Sequence, residues 1–97
     1  MTATDIGTLI TRSADIRGGR PRIAGTGVTV RRVAALYQQG AASDQIAERI
    51  GHLTLAQVHA ALAHYYANRD EIDTDLAQED AEYDRLEREH AAPPSRQ

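Results

Sequence analysis

The chain contains 97 residues, carries a formal net charge of −3 and has no cysteine. This length predicts one small domain, whose modest core a dimer contact would supplement. The absence of cysteine excludes disulfides and cysteine-based metal sites, and no apolar run is long enough for a membrane helix. The first residues also lack the pattern of a secretory signal. We therefore expect a cytoplasmic protein that is not inserted in a membrane.

The charges are divided unequally along the chain. Residues 1–69 contain eight arginines and four acids, whereas residues 70–97 contain ten acids and three arginines. A basic body followed by an acidic segment suggests two roles on one chain. We accordingly divide the sequence into a domain at 1–69, for dimerisation and DNA binding, and an acidic partner-binding helix and tail at 70–97.

Residues 8–30 have the pattern of short strands and turns. Ile23, Val28 and Val30 are spaced for one face of a small β-hairpin, and Gly25 and Gly27 would supply unusual backbone angles in its connection. The stretch RGGRPRIAGTGVTVRR also raises the question of a phosphate-binding loop. Its glycine spacing fits neither a P-loop nor a dinucleotide fingerprint, and the chain has no lysine. No cofactor or small-molecule substrate is expected.

From Val30 onward the apolar residues follow a helical period. The first helix ends at Gly40, and the second runs from Ser43, as its N-cap, to Gly51. The third helix begins at the N-cap Thr54, and its inward face consists of Leu55, Val58, Leu62 and Tyr65. Two helices joined by a short turn that contains glycine form a helix-turn-helix unit.

A fourth, highly charged helix is predicted from Glu71 to about His90. Its apolar stripe is thin and suits the covering of a partner better than the building of a core. The stripe consists of Ile72, Leu76, Tyr83 and Leu86. The predicted fold is therefore mainly α, with a small N-terminal β-hairpin, a helix-turn-helix core and a long C-terminal helix.

No side-chain arrangement in the sequence predicts catalysis or a metal site. His59 and His64 lie about 140° apart around a helix, so they do not share a face. The serines lack a partner motif, and the acidic run from Glu79 to Asp84 is typical of a solvated helix face. We expect a protein that is not an enzyme, with no catalytic, cofactor-binding or metal-binding residues.

The segment GGRPRIAGTGVTVRRVAALYQQGAASDQIAERIGHLTLAQVHAALAHY resembles family 433 of the domains of unknown function, often described as VapB-like antitoxins. The matching positions are Gly19, Arg20, Pro21, Ile23, Gly25, Thr26, Val28, Val30, Gly40, Gln45, Ile46, Leu53, Thr54, Val58, Ala61 and Leu62. The family usually has arginine in place of Gly27 and proline in place of Gly51. The resemblance implies a hairpin followed by a homeodomain-like helix-turn-helix, commonly dimeric, and an antitoxin whose partner is a PIN-like ribonuclease toxin.

A helix-turn-helix unit places the N-terminal side chains of its second helix in the major groove of DNA. In the third helix only Gln57 could read a base, as a partner of adenine, and arginines would contact phosphates without reading sequence. The predicted DNA-binding residues are Arg17, Arg20, Arg22, Arg31, Arg32, Arg49 and Gln57. The alternative is a helix-turn-helix that serves only as a packing module.

The fourth helix is expected to lie in a groove on the toxin. An arginine could pair with the acidic metal-binding site that the resemblance attributes to PIN-like toxins. The predicted toxin-binding residues are Ile72, Leu76, Tyr83, Arg85, Leu86 and Arg88. This helix could instead pack on a second copy or be disordered alone. The whole protein is expected to neutralise a toxin and repress its own operon as a homodimer; the alternatives are a DNA-binding regulator without a toxin and a structural adaptor.

Overall fold

The structure is a computed structural model that describes residues 3–91. Two short strands, β1 (Ile10–Thr11) and β2 (Arg22–Ile23), precede four helices: α1 (Val30–Gln38), α2 (Ser43–Ile50), α3 (Leu55–Ala67) and α4 (Arg69–Ala91). Single 3-10 turns occupy Ile6–Thr8 and Arg17–Gly19. The mainly helical fold with a small antiparallel hairpin and a long C-terminal helix is confirmed.

The hairpin is built differently from the one that the sequence predicted. β1 pairs with β2 in antiparallel register, Ile10 opposite Ile23, so the connection is the loop between them and not the segment that contains Gly25. A smaller turn follows β2, in which the Ile23 amide donates to the Val28 carbonyl at 2.8 Å. Val30, expected both at the end of the hairpin and at the start of the helical pattern, is the first residue of α1.

The two glycines of that turn differ from each other. Gly25 has a φ of 78°, in the left-handed region that favours glycine, whereas Gly27 does not have a positive φ. The expectation that both supply unusual backbone angles was therefore wrong for Gly27. The Gly27 carbonyl instead accepts a hydrogen bond from Arg17 Nε at 3.0 Å.

Threonine side chains cap the starts of α1 and α3. Thr29 Oγ1 accepts from the Arg32 amide at the start of α1, and Thr54 and Gln57 form a capping box at α3, with bonds of 3.1 and 2.7 Å. Ser43 is not the N-cap of α2 as predicted. Ala42 holds that position, and Gln45 Oε1 accepts from the Ala42 amide at 2.8 Å.

One core joins all the elements from β2 to the first half of α4. The residues that form this core are buried and are Ile23, Val30, Val33, Ala34, Ala41, Ile46, Val58, Ala61, Leu62, Tyr65, Ile72 and Leu76. A polar cluster closes one side of the core, because the Tyr65 hydroxyl donates to Asp73 Oδ1 at 2.8 Å and accepts from Gln38 Nε2 at 2.8 Å. It ties α1, α3 and α4 together.

The predicted boundary between residues 69 and 70 does not coincide with the edge of this core. Only Asn68 separates α3 from α4, and the first two turns of α4 bury Ile72 and Leu76 against the body. From Ala77 to His90 every residue of α4 is exposed. The helix thus leaves the body after Leu76 and extends a molecule that measures 69 × 29 × 23 Å.

Candidate functional site

Three acids of α4 form a row along the side of the helix that faces the N-terminal segment. Glu71, Asp75 and Glu79 are spaced four residues apart, so they lie on one face, and we call this row the carboxylate ladder. Glu71 pairs with Arg12 at 2.9 Å. Arg31 bridges the other two carboxylates, at 3.1 Å to Asp75 and 2.9 Å to Glu79.

Asp75 is held by two arginines from different parts of the chain. Arg20, in the loop before β2, donates from Nε to Oδ2 at 2.8 Å, and Arg31, in the first turn of α1, donates from Nη1 to Oδ1 at 3.1 Å. Burial alone would raise the pKa of Asp75. The Arg20 hydrogen bond and the charges of both arginines outweigh burial and hold that pKa below its ordinary value. The carboxylate is therefore fixed in its charged form.

The carboxylate ladder binds two of the arginines that were predicted to contact DNA. Arg20 and Arg31 are occupied by α4. Arg22 is used inside the fold, since Nη1 donates to the Thr26 carbonyl at 2.9 Å and Nη2 donates to Ser13 Oγ at 3.0 Å. These three guanidinium groups are not free to contact a phosphate in this conformation.

The three other arginines of the predicted set are exposed to solvent. Arg32 and Arg49 are exposed and make no ion pair with any residue between 3 and 91. Arg17 is exposed as well, with its Nε bonded to Gly27. Arg32 and Arg17 lie on the same side of the body, where both line one surface depression.

The outward face of α3 has few side chains that could contact the edge of a base. Gln57, the one predicted base contact, is half-buried and has its Oε1 engaged by the Thr54 amide. Leu55, predicted to point inward, is 52% exposed, whereas Ala60 is buried. The segment from Leu55 to Ala63 contains no arginine, so its exposed side chains offer no cation to a base edge.

The four apolar residues of α4 that were predicted to bind the toxin form one buried pair and one exposed pair. Ile72 and Leu76 are buried in this chain's own core, so they are not available to a partner while α4 is docked. Tyr83 and Leu86 are 64% and 40% exposed. The sequence pattern could not separate the two pairs, because all four residues share one helix face.

The exposed apolar pair and the predicted arginines lie on different sides of α4. With 3.6 residues per turn, Arg85 and Arg88 are centred about 160° around the helix from Tyr83 and Leu86. Arg85 pairs with Glu89 at 3.0 Å along the helix, and Arg88 makes no ion pair within residues 3–91. A partner that contacts all four side chains must enclose the helix.

Tyr83 and Leu86 also border the point at which α4 leaves the body. They line a groove of about 380 Å³ together with Arg20, Arg31 and Glu79. This groove, which we call the α4 notch, brings the exposed apolar stripe of the helix and the carboxylate ladder into one place. A ligand seated in the α4 notch would touch both.

A tyrosine cluster where α1 and α3 end was not foreseen from the sequence. The rings of Tyr37 and Tyr66 meet edge to face with centroids 5.8 Å apart, and their hydroxyl groups are hydrogen-bonded. That hydrogen bond raises the pKa of Tyr66. Arg69 lies 5.9 Å from the centre of the Tyr66 ring. The pairing joins the ends of α1 and α3, which no local pattern relates.

The described part of the chain shows no group of three histidine, aspartate or glutamate side chains that could hold a metal ion. None of the helices within residues 3–91 has both the length and the apolar character of a membrane span. The acidic run that begins at Glu79 is exposed along α4.

The chain was compared with known proteins. Residues 10–66 match the model of a family described as proteins of unknown function, DUF433. No curated protein matches the chain. A crystal structure of a DUF433 member protein from Anabaena variabilis is similar to it, with 30% sequence identity and a TM-score of 0.68 over 72% of this chain and 69% of that chain. The family match ends at Tyr66, so α4 lies outside the matched residues.

Proposed function

The chain belongs to the DUF433 family, and from this membership and the geometry of α4 we propose that it is an antitoxin that binds and neutralises a PIN-like ribonuclease. In this proposal the body holds α4 in place, and the exposed half of the helix binds the toxin. The protein acts by binding and not by catalysis, in the cytoplasm where its partner would cleave RNA.

The exposure of α4 beyond Leu76 is the observation that carries the proposal. The segment from Ala77 to His90 has every residue exposed, including the large apolar side chains Tyr83 and Leu86. An isolated helix of that length is only marginally stable in water, because most helical stability in proteins comes from packing. A projecting helix with uncovered apolar side chains therefore favours a protein partner that provides a groove.

The charges of the outer helix fit a ribonuclease of this class. PIN-like toxins, in the resemblance described above, have an acidic metal-binding site, and Arg88 is free to pair with such carboxylates. Arg85 can join it at little cost, because its contacts with Glu82 and Glu89 are exposed. Tyr83 and Leu86 would enter an apolar groove on the other side of the helix.

Co-expression with the product of the adjacent gene, which the proposal requires to be a PIN-like ribonuclease, tests the proposal. A chain that ends at Glu79 retains Ile72, Leu76 and the carboxylate ladder, so we expect it to fold but to lose toxin binding and neutralisation. The double variant Arg85→Gln/Arg88→Gln should bind more weakly, with Asp80→Asn/Asp84→Asn as its control on the same helix. Full neutralisation by the chain that ends at Glu79 would exclude α4 as the binding element.

We further propose that the protein binds operator DNA as a homodimer and represses its own operon. The order α2, short turn, α3 is that of a helix-turn-helix unit, and the open arginines are Arg17, Arg32 and Arg49. Because α3 presents no arginine outward before its end, these contacts would be made mainly to phosphates. A gel shift with the promoter at low and high salt tests this, and absence of a shift at low salt would exclude it.

A further inference from the structure

The first turn of α1 has an unusual charge for the start of a helix. It contains no acidic residue, and its second and third residues are Arg31 and Arg32. The amino end of a helix carries a partial positive charge that acidic side chains or anions normally complement. Arg17 joins these two arginines around a surface depression of about 470 Å³. This part of the surface is suited to an anion.

α4 supplies that anion from within the same chain. Glu79 is the one acid among the residues that line the depression, and its Oε2 lies 2.9 Å from Arg31 Nη2. Beside it, the two oxygens of Asp75 are each bound by a different arginine. Arginine binds carboxylate and phosphate through the same donor geometry. The carboxylates therefore occupy positions that phosphate oxygens could take.

Stabilisation of the fold explains only part of the ladder, because the largely buried Asp75 is well paired but Glu71 and Glu79 are nearly half exposed. Ile72 and Leu76 already dock α4 on the body, and like charges four residues apart weaken a helix. Ion pairs as exposed as Arg12–Glu71, in which both side chains are nearly half exposed, contribute little to stability. The main effect of the spacing is to place two carboxylates on Arg20 and Arg31.

We propose that the carboxylate ladder competes with the phosphates of DNA for these arginines. While Asp75 and Glu79 occupy Arg20 and Arg31, DNA has only the open arginines to bind, and release of the ladder adds two more phosphate contacts. The inference rests on the DNA-binding half of the proposed function and describes its regulation. Since Glu79 also lines the α4 notch, a partner seated there would act on the same contacts.

The test compares two double variants of the full chain that change the charge equally. Asp75→Asn/Glu79→Gln, the ladder variant, removes the charges of the two ladder acids that hold Arg20 and Arg31. Asp80→Asn/Asp84→Asn removes the charges of two acids of α4 that contact no arginine within residues 3–91. Binding to a 20-base-pair duplex is followed by fluorescence anisotropy at 50 and 200 mM salt. Two added phosphate contacts per protomer steepen the salt dependence, so the affinity gain over the control should be larger at 50 mM than at 200 mM, by about tenfold for a bound monomer and about a hundredfold for a dimer that engages both protomers.

The outcomes separate this inference from the proposal on which it rests. Equal affinities and salt dependences of the two variants would overturn the ladder as a competitor, while binding by the wild type would leave DNA binding in place. No binding by any of the proteins would overturn both. Binding by the ladder variant alone would support the competition and exclude repression by the unaided protein.

Two further variants guard against misfolding and nonspecific charge effects. Glu79→Gln alone removes the charge of a side chain that is 49% exposed, and this variant is expected to fold as the wild type does, with Asp80→Asn as its control. It should still gain affinity over that control at 50 mM salt. Adding Arg31→Gln to the ladder variant should reduce the gain, because only Arg20 then remains as an added contact. Persistence of the whole gain would show that it does not pass through Arg31.

Discussion

Gly25 and Gly27 have the same residue type but different backbone requirements. Gly25 has a φ of 78° with open space where a Cβ would lie, so Gly25→Ala should destabilise the fold by about 1–2 kcal/mol through the backbone alone. At Gly27 a Cβ would meet only the flexible end of Arg17, at 3.0 Å. Gly27→Ala should therefore change stability by less than about 0.5 kcal/mol.

Urea denaturation of the two variants beside the wild type measures this difference. A loss at Gly27 as large as that at Gly25 would contradict the assignment of the left-handed conformation to Gly25 alone. Gly27→Arg would introduce the side chain that the family usually carries. We expect it to fold, since the position has ordinary backbone angles and lies on the surface.

His64 gives the fold a sensitivity to mildly acidic pH. Burial lowers the pKa of His64 below its ordinary value, the charge of Arg12 lowers it further, and Glu71 opposes both. Its Nε2 is buried and has no hydrogen-bond partner within residues 3–91. Because the pKa of His64 is lower in the folded than in the unfolded state, the neutral ring favours folding. This stability is fully present above about pH 6.5 and is lost as the pH falls towards the folded-state pKa.

Thermal unfolding between pH 7.5 and 5.5 tests the role of His64. The wild type should lose stability over that range, and His64→Gln should reduce the loss. His59→Gln, on the exposed face of the same helix, serves as the control and should behave as the wild type does. An unchanged pH dependence in His64→Gln would assign the effect to another group.

At the scale of elements, helical periodicity located α1, α2 and α3, because the residues that repeat along their faces also form the core. The same periodicity misread α4. Ile72, Leu76, Tyr83 and Leu86 continue one stripe, and only the length of the body determines that the first two are buried and the last two exposed. A local sequence pattern cannot show how far along a helix the rest of the protein covers its apolar face.

The division of the α4 stripe predicts opposite responses to truncation of its side chains. Ile72→Ala should destabilise the protein by about 2–5 kcal/mol, because it leaves a cavity in the core. Leu86→Ala should change the stability of the isolated protein by less than about 0.5 kcal/mol, although we expect it to weaken toxin binding. Chemical denaturation measures the stability change of both variants. A substantial loss of stability in Leu86→Ala would indicate that a second copy already covers this residue.

At the scale of the whole molecule, the sequence shows that residues 1–69 are basic and residues 70–97 acidic. It does not show that these opposite charges contact each other. It suggested two separate roles, whereas the structure brings the opposite charges into contact through Arg12, Arg20 and Arg31. These pairs join residues more than 40 positions apart. Side-chain type gives the sign of a charge, and only the tertiary fold gives its partner.

The uneven packing of α4 also predicts uneven protection of its backbone. Amides near Val58 and Tyr65 in α3 should exchange slowly with solvent, and those from about residue 80 onward should exchange almost as in an unfolded chain, because no packing protects them. Hydrogen exchange of the isolated protein measures this profile. Protection that stays high to residue 91 would show that the outer helix is covered in solution, and the dependence of that protection on protein concentration would identify a second copy as the cover.

The junction at Asn68 has a geometric consequence for any partner of α4. Because one residue separates α3 from α4, and Asn68 Nδ2 bonds back to the His64 carbonyl at 3.0 Å, the direction of the helix is set by the body and not by a flexible tether. Leu86 lies about 15 Å beyond Leu76 along the axis when the helix is formed. A partner that binds the exposed half of α4, as we propose, would be held at a fixed distance and direction from α3, and a dimer would fix the spacing between two such partners.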